Sequence, residues 1–230
     1  MNRKYYEAYD DRYRQVHSMD LQWASDAPSP IVLDTVKKLG LTVQQPILEL
    51  GCGEGRDAIA LLEEGYALLA TDISPEAIGY CRRRFAPYRD HFAVADCVAG
   101  QLDKKFDFIY AVAVVHMLVE DADRSSFYRF IRNHLAPGGH ALICTMGDGT
   151  EERRSNPATA FQLQNRIHGQ SGTPVCIAGT SCRMVHYETF QQELTSNGLT
   201  ILERGITAVE PDFPQMMYAL CCAEQKEELV

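Results

Sequence analysis

The stretch that decides the fold is Leu48–Asp72, LELGCGEGRDAIALLEEGYALLATD. A short apolar run feeds three glycines in five residues, Gly51, Gly53 and Gly55, and a segment with helical apolar spacing, Arg56–Glu64, follows. Glycine permits positive φ and lets a ligand approach the main chain closely. A helix that begins straight after such a turn offers unpaired N–H groups and a positive dipole end to an anion. Strand, glycine-rich turn and helix in that order form a nucleotide-site arrangement. The dinucleotide fingerprint G-x-G-x-x-G would need a third glycine at position 56, where the chain has Arg56. The spacing here is G-x-G-x-G, with Glu49 two residues before the first glycine.

Working outward, strand-like runs alternate with helical ones from residue 30 onward. The strands are expected at Pro46–Leu50, Ala67–Thr71, His91–Ala95, Phe106–Val112 and His140–Thr145, and the helices at Arg56–Glu64, Pro75–Phe85 and Arg124–Leu135. Such alternation predicts an α/β fold with a parallel sheet and helices on both faces. FDFIYAV, Phe106–Val112, is apolar almost throughout, as a central strand covered on both sides requires. Ser74-Pro75-Glu76 reads as a helix start with Ser74 as N-cap, and Pro137-Gly138-Gly139 as a helix stop. At the N-terminus, Tyr5, Tyr9, Tyr13 and Val16 recur at helical spacing. Periodicity is weak from Gly147 to His186, where a long excursion with one short helix near Ala158–Ile167 is expected; such excursions are often lids or binding loops. Regular structure returns as a helix over Glu188–Ser196 and strands over Leu199–Arg204 and Met216–Cys222, with a frayed tail over Glu224–Val230.

The chain has 230 residues, 46% of them hydrophobic, and a net charge of −9. That supports one substantial core. The acidic balance argues against nucleic acid as partner, since binding many phosphates calls for a basic surface; Arg82–Arg84, the densest basic cluster, reads as an exposed helix face. No run approaches the roughly 18 apolar residues of a membrane span, and Met1–Tyr13 lacks the apolar core of a signal peptide, so the expected location is the cytoplasm. The eight cysteines include no C-x-x-C pair and no zinc spacing. They read as reduced and structural, with Cys176 and Cys182, in the irregular region, the two that could be reactive. No metal site is expected.

ELGCGEG, Glu49–Gly55, resembles the first motif of the class I S-adenosylmethionine-dependent methyltransferases, and four further motifs agree in order and spacing. TDIS, Thr71–Ser74, matches the end of the second strand, where the resemblance makes Asp72, 19 residues beyond Gly53, the acid on the ribose hydroxyls, with Ile73 beside it. A carboxylate can accept from two adjacent hydroxyls at once. VADC, Val94–Cys97, places Asp96 at the adenine amino group and the Cys97 N–H at the ring. Phe106–Leu118 matches the fourth strand and its exit loop, and LAPGG, Leu135–Gly139, the approach to the fifth strand. The resemblance covers roughly residues 30–225. It implies a Rossmann-like, seven-stranded, mostly parallel sheet whose last strand is antiparallel. Expected within one domain are an N-terminal helical cap (1–40), a cofactor-binding core (41–146), an acceptor-side excursion or lid (147–187) and the C-terminal part of the sheet (188–230). The paired start YDDRYRQ…LQW with the glycine-rich stretch looks closest to the tellurite-resistance and thiopurine methyltransferase-like branch.

The resemblance implies S-adenosylmethionine as cofactor, leaving as S-adenosylhomocysteine. Glu49, Gly51, Cys52 and Gly53 would orient its methionine portion. Arg56 either pairs with the methionine carboxylate or is merely solvated. Ala111 would offer its backbone. Tyr9 and Tyr13 are either core or a cover over the sulfonium, which electron-rich rings suit, with Trp23 at the rim. His116 follows the fourth strand; it is a base or orienting group near the transferred methyl, or a packed histidine. His186 and Tyr187, at the end of the excursion, would line the acceptor pocket or simply pack. No N-P-P-Y or D-P-P-Y tetrapeptide follows the fourth strand, and Tyr110-Ala-Val-Ala departs from it. With the acidic charge, this favours a small-molecule acceptor. Two other readings are a nicotinamide-dependent oxidoreductase, against which Arg56, Asp96 and LAPGG count, and a non-catalytic module that binds the cofactor, since fold does not establish turnover.

Overall fold

Seven strands form one sheet, and their order follows from which runs can bury both faces. The computed structural model describes residues 3–224. The strands β1 (Ile47–Leu50), β2 (Leu68–Asp72), β3 (Phe92–Val94), β4 (Phe106–Val112) and β5 (Leu135–Met146) are parallel neighbours in the spatial order β5-β4-β1-β2-β3. Two short antiparallel pairs intervene in the sequence: β6 (Arg153–Arg154) with β9 (Arg183–Met184), and between them β7 (Leu163–Ile167) with β8 (Pro174–Ala178). The chain then returns as β10 (Leu199–Val209) and β11 (Phe213–Ala223). β11 inserts antiparallel between β5 and β10, completing the seven-stranded sheet with one reversed strand.

Helices α2 (Pro30–Lys38), α3 (Arg56–Glu63) and α4 (Pro75–Arg84) cover one face of the sheet. Helices α5 (Asp121–His134) and α6 (Tyr187–Ser196) cover the other. β4 serves both layers, with Ile109 and Ala111 turned to one and Phe108 and Tyr110 to the other, all fully buried. This is why its run is apolar at successive positions. Helix α1 (Ala8–His17), preceded by a 3-10 turn over Tyr5–Glu7, lies over the C-terminal ends of the strands. Its aromatic stripe buries Tyr9, Tyr13 and Val16.

The excursion departs from its expected form. In place of a loop with a helix near 158–167, it holds the two nested strand pairs and a 3-10 turn at Pro157–Thr159. Every residue of β7 is exposed, so no alternation of apolar and polar residues marks it as a strand. The hairpin is held by packing of Val175 and Ile177 against Val16 of α1. The charged tail expected after Glu224 lies outside the described residues.

One buried ion pair fixes the loop that leaves β4. Arg124 is 1% exposed, and its guanidinium donates to both oxygens of Glu193, at 2.7 and 2.6 Å. Its remaining nitrogen donates to the carbonyls of Val115 and Leu118, and Tyr128 also donates to Glu193. α5, α6 and the 115–118 turn are thus joined at one guanidinium. Glu193→Ala strands this charge, at a cost of about 3–5 kcal/mol and a fall in Tm of roughly 6–20 °C. Thermal unfolding checks this; an unchanged Tm would show the pair to be idle.

Candidate active site

The turn after β1 is shaped by what presses on it. Gly51 and Gly53 have φ of 70° and 52°. A Cβ on Gly51 would lie 2.4 Å from Val114, and one on Gly53 would lie 2.6 Å from the Tyr13 hydroxyl. No side chain fits at either position. The turn is held from β2: Asp72 Oδ2 accepts from the Gly53 N–H at 2.9 Å while Oδ1 accepts from the Ser74 N–H at 2.8 Å. Burial pushes the Asp72 carboxyl up in pKa, and the Ser74 and Gly53 N–H groups oppose that shift. Thr71 Oγ1 donates to the Glu49 carbonyl at 2.7 Å, closing β1 onto β2.

α1 is fastened to the same turns. Asp10 accepts from the Ser74 hydroxyl at 2.7 Å and the Glu76 N–H at 3.0 Å, so its charge sits at the start of α4. His17 bridges two acids, with Nδ1 to Glu76 and Nε2 to Glu54 both at 2.9 Å, and stacks on Tyr80. Glu54, inside the glycine-rich turn, also accepts from the N–H groups of Trp23 and Ala24. On its other side α1 grips the excursion. Tyr9 donates to the Ser181 carbonyl, and Arg12 to the carbonyls of Ala178 and Gly179.

Two cavities meet beneath this helix. The smaller is lined by Tyr6, Asp72, Ile73, Asp96, Cys97 and Val98, among others. Asp96 Oδ1 is fixed by the N–H groups of Val98 and Ala99, at 2.7 and 3.0 Å. The larger, of about 710 Å³, opens between the glycine-rich turn and the excursion. Glu49, Cys52, Gly53, Arg56, Trp23 and His116 line it. Tyr9, Tyr13, Gly51 and Met117 belong to both cavities and mark their junction.

The structure places three of the expected residues elsewhere. Ala111 is fully buried in the sheet and lines neither cavity; Val112 and Ala113, the last residue of β4 and the one after it, reach the larger one instead. His186 faces outward near Glu152. Tyr187 turns back to the carbonyls of Gly205 and Tyr218. Arg56 lines the larger cavity but is paired with Asp212 at 2.6 Å, and Asp212 also takes the Ser25 N–H and hydroxyl. Its charge is therefore already matched. Sequence reading passed over Arg12, Glu54 and His17. An isolated cation or acid carries no motif, and their partners lie 30 to 167 residues away.

His116 sits on the turn held by Arg124 and is 4% exposed. Its Nδ1 is sealed without a partner, which leaves Nε2 as the nitrogen able to reach the cavity. Burial, with the charges of Arg124 and Arg12, lowers its pKa to about 3. The ring is neutral near pH 7 and offers a lone pair rather than a proton store.

Residues 48–141 match a family model described as Methyltransferase domain. Hemagglutinin 1 from Eikenella corrodens is 32% identical to the chain over 105 residues, 44% of this chain and 34% of that protein. The chain thus spans about a third of the length of that curated relative. Among solved structures, the CcbJ methyltransferase from Streptomyces caelestis superposes with a TM-score of 0.71 at 16% identity, covering 96% of this chain and 99% of the other. The glycopeptide N-methyltransferase MtfA, complexed with sinefungin, gives 0.65 at 22% identity over 88% and 89%. At these identities the likeness is one of fold. It extends past residues 48–141, since the superpositions cover 96% and 88% of this chain.

His17 gives the fold a pH dependence. Burial alone would lower its pKa, but the hydrogen bonds to Glu54 and Glu76 and their charges outweigh that and raise it. A histidine with a raised folded pKa contributes stability that is complete below its unfolded value, about 6.5, and is lost as pH rises through the folded value. Thermal stability is therefore expected to fall as pH rises above about 6.5, with a smaller fall in His17→Gln. Tm measured across that window checks this; parallel profiles for the two proteins would show His17 to be uncharged in the fold.

Proposed function

We propose that this protein transfers the methyl group of S-adenosylmethionine to a small-molecule acceptor. The observation that carries this is the pair of cavities joined at Gly51, one bordered by two acids and one open to the lid. MtfA has been solved with S-adenosylmethionine and with S-adenosylhomocysteine. In this chain the residues fit such a ligand. Asp72 and Asp96 border the smaller cavity, and each keeps lone pairs beyond those its N–H donors use. The Gly51–Gly53 turn leaves room for a methionine chain passing into the larger cavity. Glu49 lines that cavity, and its Oε2 is buried without a partner among the described residues, so it is the acid available to an ammonium.

Bound there, the cofactor supplies an electrophilic methyl on a cationic sulfur. The chain's own groups bind, orient and exclude water. Tyr9 and Tyr13 bring aromatic faces to the junction, where a sulfonium is favoured. Burial holds both phenols above their ordinary pKa, so they stay neutral. His116 receives a hydrogen bond from the acceptor's nucleophilic atom and aims it at the junction. The strand pairs of residues 147–187 act as the lid, with the remainder of the chain forming a single domain around the sheet. Placement in the tellurite-resistance and thiopurine branch, and in the cytoplasm, is part of this proposal. Among the described residues no helix is long and apolar enough to cross a membrane.

Calorimetry with S-adenosylhomocysteine and with NAD tests the cofactor assignment. Binding of the first and not the second is expected, and the reverse overturns it. Asp72→Ala is expected to lose about 1.5–3 kcal/mol of S-adenosylhomocysteine binding, the worth of hydrogen bonds to a charged group. Undiminished affinity would place the ribose elsewhere. With an acceptor found by labelled-methyl transfer, His116→Ala is expected to lower kcat/KM about five- to tenfold, the worth of one hydrogen bond, at unchanged S-adenosylhomocysteine affinity. Equal loss in both would move His116 to the cofactor side.

A further inference from the structure

The larger cavity has a charge pattern that the cofactor does not use. Its acids are committed. Glu54 holds His17, Trp23 and Ala24; Asp57 takes the N–H and hydroxyl of Ser29; Asp212 pairs with Arg56; and Asp26 pairs with Arg84. Glu49 lies at the cofactor end. Among the described residues, three of its arginines are not committed to any acid. Arg12 donates only to neutral carbonyls, Arg166 only to the Gln164 amide oxygen at 3.1 Å, and Arg153 has no ion pair among the described residues. The neighbours of Arg153 on the paired strands differ. Arg154 pairs with Glu120 and Arg183 with Asp121. Thus on the β6–β9 pair the cavity-lining arginine lacks a counter-ion and the arginines turned away have one.

In a chain of 31 acids and 22 Lys and Arg, three guanidiniums without an acid partner gather at one cavity. Like charges held together repel. Arg12, lowered in pKa first by burial, is lowered further by the charge of Arg166. An anion between them removes that repulsion, and planar guanidiniums suit carboxylate or phosphate oxygens. Resting on the methyltransferase reading of this cavity, we propose that the acceptor carries an anionic group, a carboxylate or phosphate, which Arg153 and Arg166 bind at the lid while its nucleophilic atom lies toward His116. Arg12, stacked 4.5 Å from the Trp23 ring, closes the cationic wall.

Trp23, the chain's single tryptophan, lines the cavity and reports on it. The full chain, saturated with S-adenosylhomocysteine, is titrated by Trp23 fluorescence with 4-hydroxybenzoate, with 4-hydroxybenzamide and with inorganic phosphate. The acid is expected to bind about tenfold more tightly than its amide, and phosphate to compete with it. The double variant Arg153→Gln, Arg166→Gln should reduce acid binding to the level of the amide while S-adenosylhomocysteine affinity stays unchanged, which also shows that the variant is folded. Equal binding of acid and amide, no saturable binding of the acid, or a double variant that still prefers the acid overturns the proposal. Failure of S-adenosylhomocysteine itself to bind would instead overturn the methyltransferase reading.

Discussion

The carboxylate of Asp72 is the constraint on which the site depends. It is buried, it ends β2, and it accepts the N–H of Gly53 with one oxygen and the N–H of Ser74 with the other. Those two donors belong to the turns that open α3 and α4. Each turn has peptide groups that would otherwise be buried without partners, and a single side chain satisfies both. The spacing of β1 and β2 in the sheet sets the distance between the turns, and the carboxylate spans it. Val114 from the far side and Tyr13 from above then press on Gly51 and Gly53, so the turn has little freedom left.

This arrangement explains which parts of the molecule were legible in the amino-acid sequence. β1, β2, β4, α3 and α4 could be read because their signals are local: apolar runs, glycines that need positive φ, and Ser74-Pro75 at a helix start. Asp72 and Asp96 could be placed beside one cavity because strand ends fall at fixed points in such a fold. The fastening of α1 could not. Asp10, His17 and Glu54 are ordinary surface-type residues until the chain folds, and their partners are distant in sequence. The same holds for Arg56, which a helix-start argument assigns to a ligand but which finds Asp212 from the loop before β11. β7 illustrates the opposite failure. A strand with every side chain exposed carries no periodic signal, and its place is set by β8 packing on Val16.

His116 shows how position and chemistry separate. Its place after the fourth strand suggested either a base or a packed ring. Burial beside two arginines makes it a neutral hydrogen-bonding group, so the proposed transfer relies on alignment more than on proton removal. That suits an acceptor whose nucleophilic atom has a lone pair free at neutral pH. Arg124 supports this indirectly by holding the Val115 and Leu118 carbonyls on either side of the histidine.

Helix α1 touches both halves of the site at once. Asp10 and His17 bind the cofactor-side turns, whereas Tyr9 and Arg12 bind the strand pairs over the larger cavity. A displacement that lifts the helix from one half strains its hold on the other. In the proposed reaction, entry of one ligand and escape of the other therefore act on the same helix.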